Sequence, residues 1–532
     1  MTQNQEQDIR LQMLNSFLSC PHRDTDQIKR IHSELQSKDP VFYAHLASWY
    51  RKNGDIRDHM EVFASMLIID SYHENREVGL AIFQQVPTFM KTRVLGFIKG
   101  KKVKIRHKTG RKKKIKGGKT IDDVNIEEKM VGLYKNPPTA FKREIKQYLR
   151  YLEADNKRFD SVAVRNARDL KTLYASMRIR PSRRANDILF HKKYPKDSGL
   201  NVFEEILNAK SSKKIARLIV ENKVPYTTAV GLIEKITPSI LVALINNMSP
   251  QELMNNLASL EERGALNNKQ TRELIESKIE KVKKSKNVSA LKGKQAKKTG
   301  RIKDASVSSK IDEVSDEQVK KRGTVKLPTA IFVDRSGSMR TAIEMGKSCA
   351  ALVSGATEAP LYVIAFDSMP MEIQAKGNKT YSDWERAFIP VRPGGSTSIG
   401  CPLKALGDSN VYVEQIVIIT DGGENAHPTF VSEYSRYANK MSVRPNVVII
   451  RVGNWYEQFA SNLKRSGIDT EIYTPQGTDY YGLPGLVQIL SRKSKLDLLM
   501  EIMNTPLVHR KKYSNVAPDP KYKNDVSRKV LV

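Results

Sequence analysis

Apolar residues in the first half of this 532-residue chain recur at intervals of three and four. Ile9, Met13, Leu14 and Phe17 form one such set, Phe42, Leu46 and Trp49 a second, and Met60, Phe63, Met66 and Leu67 a third. The spacing puts each set on one stripe of an α-helix. The pattern runs from Gln5 to about Lys286, and starts are marked at Thr25 or Asp26, Asp39-Pro40, Pro138-Thr139 and Ser249-Pro250. Side-chain oxygens at such positions take the unpaired amides of a first turn, and Pro is tolerated there. Short breaks between roughly fourteen helices predict consecutive antiparallel pairs, too many for one bundle core. The expectation is an all-α, HEAT-like helical-repeat domain over residues 1–286, although no repeat is regular enough to set a period.

From Leu327 the pattern changes. T-A-I-F-V-D, L-Y-V-I-A-F-D, Q-I-V-I-I-T-D and N-V-V-I-I-R-V-G are apolar runs of strand length, with helical patterns between them, the first from Ala342 to Ser354. Buried strands alternating with helices predict an α/β doubly wound, mostly parallel sheet over 327–532. Residues 287–326 read as a basic, polar linker.

Charge changes the picture most. The chain holds 90 Lys and Arg against 58 Asp and Glu, a net +32. Of these, 65 basic and 38 acidic residues precede residue 326, and 25 and 20 lie from it onward. A fold with that excess repels itself unless a polyanion neutralises it, which points the helical half toward nucleic acid or an acidic membrane surface. Lys99–Lys119 carries about twelve cations and four glycines, and is expected as a mobile loop and a candidate phosphate contact. A second basic stretch runs from Lys281 to Lys303. Arg178, Arg180, Arg183, Arg184, His191, Lys192 and Lys193 place seven potential cations within sixteen residues. Guanidinium forks suit phosphates, so this segment is the candidate RNA-binding face.

Cys20, Cys349 and Cys401 are widely spaced, in no metal-ligand pattern. That suits a reducing compartment and speaks against a disulfide scaffold. The polar start M-T-Q-N-Q-E-Q-D-I-R is not expected to be a signal peptide, and no apolar run approaches the length of a membrane span. A cytoplasmic protein with no membrane partner is expected.

Asp334-Arg335-Ser336-Gly337-Ser338 stands where the first strand of the second half ends. Asp421 ends another strand, in I-I-T-D-G-G-E-N. Ligands in such sheets bind beyond the carboxyl ends of the strands. Two carboxylates and two hydroxyls there make a hard, all-oxygen site suited to Mg²⁺ with retained waters. In the intervening G-G-S-T-S-I-G, Thr397 offers another hydroxyl, with Ser396 beside it. No general base accompanies the set. Ser336 stands where an aspartyl-nucleophile phosphatase needs its second carboxylate, so binding rather than catalysis is expected.

The order D-x-S-x-S, loop Thr, T-D-G resembles the metal-ion-dependent adhesion site of von Willebrand factor A domains. T-S-I-G aligns with that family's T-N-I-G. The resemblance implies Asp334, Ser336, Ser338, Thr397 and Asp421 as the ligand set, some through water, with one position open to a partner's carboxylate.

The whole chain resembles the Ro autoantigen family, in which a HEAT-like TROVE module precedes such a domain. T-D-G-G-E-N-A-H-P is similar to the family's T-D-N-E-T-W-x-x-x-x-H-P. H-L-A-S-W-Y-R-K-N-G-D-I-R, V-E-N-K-V-P-Y-T-T-A-V and I-N-N-M-S-P-Q-E-L-M-N-N-L resemble TROVE helices in their order. Tyr174–His191 resembles the family segment near the Y RNA contacts. There Arg178, Ser182 and His191 match family positions, while Tyr174 replaces a Lys and Arg180-Pro181 a Gly-Trp. The resemblance implies a monomeric ring that binds Y RNA-like noncoding RNA outside and 3′ ends of misfolded RNA in its hole. It also implies work in RNA quality control or ribonucleoprotein assembly, with an exoribonuclease as partner in some bacterial members. The rival expectation is a metal-dependent protein-binding adaptor.

Overall fold

The computed structural model describes residues 25–520, apart from 55–56, 115–119, 285–296, 298–299, 321–322, 378–379, 469, 474–485, 488–489 and 492–494. The helix expected around Ile9–Phe17, Cys20 and much of the second basic stretch lie outside the described residues. The described residues form two compact units, Thr25–Ala209 with the tail from Ile502, and Lys210–Glu501.

The first unit is built from α1 (Thr25–Lys38), α2 (Pro40–Asn53), α3 (Arg57–Ile68), α4 (His73–Gln85) and α5 (Thr88–Lys99), followed by α6 (Thr139–Glu153) and α7 (Asn156–Met177). Asp39 caps α2, its carboxylate accepting the Phe42 amide at 2.9 Å, and Pro40 opens the helix. Phe42, Leu46, Trp49, Phe63, Met66 and Leu67 are buried, as their spacing predicts. Each such side chain contributes roughly 1.5–3 kcal/mol on leaving water. The unit continues through α8 (Arg183–Asn186) and α9 (Val202–Leu207).

The tail returns to these helices. The Val508 amide donates to Ser48 Oγ at 3.3 Å, and Arg510 forks onto Glu77 at 2.7 and 2.8 Å. Arg510 also reaches Glu144 at 3.2 Å, giving that buried carboxylate a counter-charge. The Gln84 side chain gives and takes one hydrogen bond each with the Lys511 backbone.

The sequence expectation fails between α5 and α6. Residues 101–114 are not a loop but a strand, β1 (Lys101–Lys114), paired antiparallel with β2 (Thr120–Val131). Residues 115–119 of the basic stretch lie outside the described residues. The cationic half alone carries no strand signal. Its partner carries four Asp or Glu and sets Val124, Ile126 and Met130 at period-two positions, and cross-strand pairing offsets the poor strand propensity of Lys.

The second unit opens with α10 (Ser212–Glu221), α11 (Tyr226–Leu232), α12 (Pro238–Asn247), α13 (Pro250–Glu262) and α14 (Lys269–Lys284). Part of the segment read as a linker is helical, α15 (Ala305–Lys320). Val307, Ile311 and Val314 are fully buried, a helical stripe hidden in a polar sequence. Lys310 ties α15 to α14 through Glu280 at 3.2 Å.

Next come β3 (Thr329–Asp334), α16 (Arg340–Ala356), β4 (Leu361–Phe366), β5 (Pro370–Glu372), α17 (Tyr381–Ala387), α18 (Cys401–Asp408), β6 (Gln415–Thr420), α19 (Phe430–Met441), β7 (Asn446–Arg451), α20 (Glu457–Arg465) and β8 (Thr470–Tyr473). The strands lie in the order β5-β4-β3-β6-β7-β8, all parallel except the β5 edge. β3 and β6 are buried at every position, as near-continuous apolar runs require when helices cover both faces. The chain leaves β3 toward β4 and later returns to β6 on the other side of β3. The carboxyl ends of β3 and β6 therefore meet at a topological switch point.

Candidate metal centre and candidate nucleic-acid interface

Asp334 is the last residue of β3 and fully buried. One carboxylate oxygen accepts the Ser336 amide at 2.8 Å, the other the Thr420 hydroxyl at 2.7 Å. Asp421 follows β6 at the adjacent strand end. Gly422, at φ 81°, turns the chain so that the Gly423 amide donates to the Asp421 carboxylate at 2.9 Å. The Asp334 carboxyl is held above the usual carboxylate range, first by burial. Hydrogen bonds from Thr420 and Ser336 oppose that shift, and the Asp421 charge adds to it. Arg335 does not relieve the pair, because its guanidinium is committed to Asp367 at 2.8 Å.

Thr397 is buried on a loop clasped to the Asp421 turn. Its amide donates to Asn425 Oδ1 at 2.7 Å, and its carbonyl accepts the Asn425 and Ala426 amides at 3.0 and 2.9 Å. Glu424 extends the clasp, its carboxylate accepting the Ile399 and Phe430 amides at 3.1 and 2.8 Å. Burial raises the Glu424 carboxyl to about 7. Ser336 is buried and Ser338 exposed in the turn after β3. Thr420, Glu424 and Asn425 escaped the sequence reading, since each holds a neighbour and carries no ligand pattern of its own.

The donor set fits a hard cation. Among the described residues no group of three or more His, Cys, Asp and Glu could hold a metal. This set instead offers two carboxylates with the Ser336 and Thr397 hydroxyls, which suits an ion that keeps several waters. A divalent ion would also offset the repulsion between the two aspartates. Asp334→Ala is expected to abolish Mg²⁺ binding by calorimetry. It should also abolish the stabilisation of about 2.7 kcal/mol that Mg²⁺ bound there would give the wild type at a hundredfold its Kd. Retained binding would rule out this ligand set.

The basic segment lies at the end of α7. Met177 is the last helical residue, and Arg178 takes a left-handed conformation at φ 52°. A buried pair positions the residues beyond it. Glu153 accepts the Ser182 amide at 2.7 Å, the Tyr174 hydroxyl at 2.8 Å and the Arg150 guanidinium. Arg150 in turn donates to the Arg180 carbonyl at 2.6 Å. Burial, and then the Glu153 charge, push the Tyr174 phenol far above its usual range.

Arg178, Arg180, Arg183, His191, Lys192 and Lys193 are exposed. Arg184 differs from them. It is drawn inward onto Asp160 at 2.9 Å and Asp197 at 2.7 Å, so in this structure its charge serves the fold. A π-helical turn, Asp187–His191, carries Phe190 outward with 39% of its surface exposed. The Lys171 ammonium stands 5.9 Å from the Phe190 ring centre. An exposed ring among cations can take a stacked base as well as phosphates. Phe190 lies on this π-turn, which no periodicity announces.

No family model and no curated sequence matches the chain. Among solved structures it is similar to the Ro (RSR) protein of Deinococcus radiodurans. The TM-score is 0.59 at 12% identity, over 91% of this chain and 100% of that one. At the level of the fold, this bears out the resemblance read from the sequence. It is also similar to a von Willebrand factor type A protein from Catenulispora acidiphila, at TM-score 0.25 and 15% identity, over 32% of this chain and 43% of that one. That second similarity is too partial to carry an argument.

Proposed function

We propose that this chain binds structured noncoding RNA and does not catalyse a reaction on it. The observation that carries the reading is the exposure of Arg178, Arg183, Lys192, Lys193 and Phe190 on one short segment, whose residues 180 and 182 are tied by the buried Arg150–Glu153 pair. The net charge of +32 supports it, because a polyanion removes the self-repulsion. The fold shared with a Ro protein supports it as well.

The resemblance extends the reading to Y RNA-like molecules, to unpaired 3′ ends of misfolded RNA and to an exoribonuclease partner. Sequencing of copurified RNA and mass spectrometry of copurified protein identify both. The second unit adds a Mg²⁺ site at Asp334, Ser336, Ser338, Thr397 and Asp421, whose open position would take a carboxylate from a protein partner.

Salt and chelator separate the two contacts. RNA held through six to ten phosphates should lose about 10³ to 10⁵-fold in affinity between roughly 50 and 200 mM salt. The same titration should not change with chelator. RNA binding that ignores salt, or RNA cleavage that Asp334→Ala abolishes, would overturn the proposal.

A further inference from the structure

The β1–β2 ribbon is a built excursion from the helical unit. It leaves and rejoins the chain at Gly100 and Gly132, both at positive φ, and a Cβ on Gly132 would stand 2.7 Å from the Gly100 Cα. The root is tied down. The Leu133 amide donates to the Phe97 carbonyl at 2.8 Å, the Lys135 amide to Ile98 at 2.9 Å and the Lys29 ammonium to Gly132 at 2.7 Å. Lys101 pairs with the buried Glu61, which Arg93 also reaches at 2.6 Å. At about 3.3 Å per residue, a strand the length of β1 projects roughly 45 Å.

Charge on this ribbon is sorted by strand and by face. β1 carries nine Lys or Arg, and β2 carries four Asp or Glu and one Lys. Alternation puts positions 102, 104, 106 and 108 on one face, all of them Lys or Arg. Their register partners are Met130, Glu128, Ile126 and Val124, so these four register pairs set four cationic positions against one acidic one. The cationic positions repeat about every 6.6 Å along a paired backbone.

We propose that this ribbon is an arm that lies along the phosphate backbone of double-stranded RNA. The inference rests on the RNA-binding reading above and assigns it a second contact of a different class. A paired ribbon offers charge at fixed intervals, which matches a partner whose phosphates are also regularly placed. Residues 101–131 contain no Phe, Tyr or Trp, and His107 is their one aromatic ring, so they offer little of the stacking that captures single strands. Duplex RNA is recognised by shape and backbone and needs no such ring. The arm therefore grips stems, while the segment around Phe190 takes unpaired nucleotides.

Two variants of the full chain test the arm. In the first, residues 103–129 are replaced by Asn-Gly, so that Lys102 and Met130 close a two-residue hairpin and Lys101 keeps Glu61. The second keeps the ribbon and replaces Lys102, Lys104, Arg106 and Lys108 with Gln. Each is titrated with a blunt RNA duplex of about 20 base pairs and an unstructured RNA of about 12 nucleotides. Vesicles rich in phosphatidylserine form a third arm.

Both variants should lose about tenfold or more in duplex affinity, with the salt slope shallower by roughly 3 to 4. Single-strand affinity should change less than about twofold. Wild type that ignores the duplex, unchanged duplex affinity, or equal loss on both RNAs would overturn the proposal. So would lost vesicle binding with duplex binding retained. Failure of the two readings is distinguishable. If reversal at Arg178, Arg183, Lys192 and Lys193 changes nothing while these variants lose the duplex, the Phe190 interface falls and the arm stands.

Discussion

Reversing Arg178, Arg183, Lys192 and Lys193 to Glu together should weaken binding of a 3′-tailed RNA hairpin on the order of a hundredfold at low salt. The four side chains are exposed, while Arg184 is held by Asp160 and Asp197. Leaving Arg184 in place keeps the fold out of the measurement. Each lost phosphate contact lowers the salt slope by roughly 0.7 to 0.9, so the quadruple variant should be shallower by about 3. Surface substitutions away from structural contacts shift stability by about 0.5 kcal/mol or less each, so the melting temperature should barely move. Arg184→Ala is the contrasting control. It strips Asp160, a nearly buried carboxylate, of its guanidinium, and should lower stability before it lowers affinity. Unchanged affinity and slope in the quadruple variant would show the face to be solvated only.

Glu153→Ala should cost about 3 to 5 kcal/mol, because it leaves a buried guanidinium without its main counter-charge. Only 4% of the Arg150 side chain and 2% of the Glu153 side chain are exposed. The other carboxylate on Arg150, Asp519, is 59% exposed and partly screened. The substitution also strips the Tyr174 hydroxyl and the Ser182 amide of their acceptor. Replacing both members, Arg150→Met with Glu153→Leu, removes the orphaned charge and should recover part of the loss. The two polar groups would remain unsatisfied at about 1 to 3 kcal/mol each. Urea denaturation reads both effects. Because Glu153 and Arg150 position residues 180–182, RNA affinity should also fall in Glu153→Ala at a temperature where the protein stays folded, though no cation of the interface is removed. A loss under about 1 kcal/mol would show that water replaces Glu153 freely and that the pair does not organise the segment.

Local rules sufficed for much of the molecule. The three-and-four spacing of Phe42, Leu46 and Trp49 marked a buried helix face. Asp39-Pro40 marked where that helix starts, because a cap acts within one turn. The apolar runs ending at Asp334 and Asp421 marked strands whose carboxyl ends carry candidate ligands. Each of these signals is carried by residues a few positions apart, so the chain displays it without its fold.

Other features depended on partners distant in sequence. The Lys-rich β1 looks like a loop until β2 is laid against it, since strand pairing and not propensity makes it a strand. Val307, Ile311 and Val314 turn a polar stretch into the packed helix α15 only once α14 lies beside it. Arg184 reads as a free cation until Asp160 and Asp197 are placed around it. Glu153 carries no motif, yet it sets the geometry of a segment about thirty residues away. Electrostatic and hydrogen-bonding roles belong to pairs, and pairs distant in sequence become neighbours only through the tertiary fold.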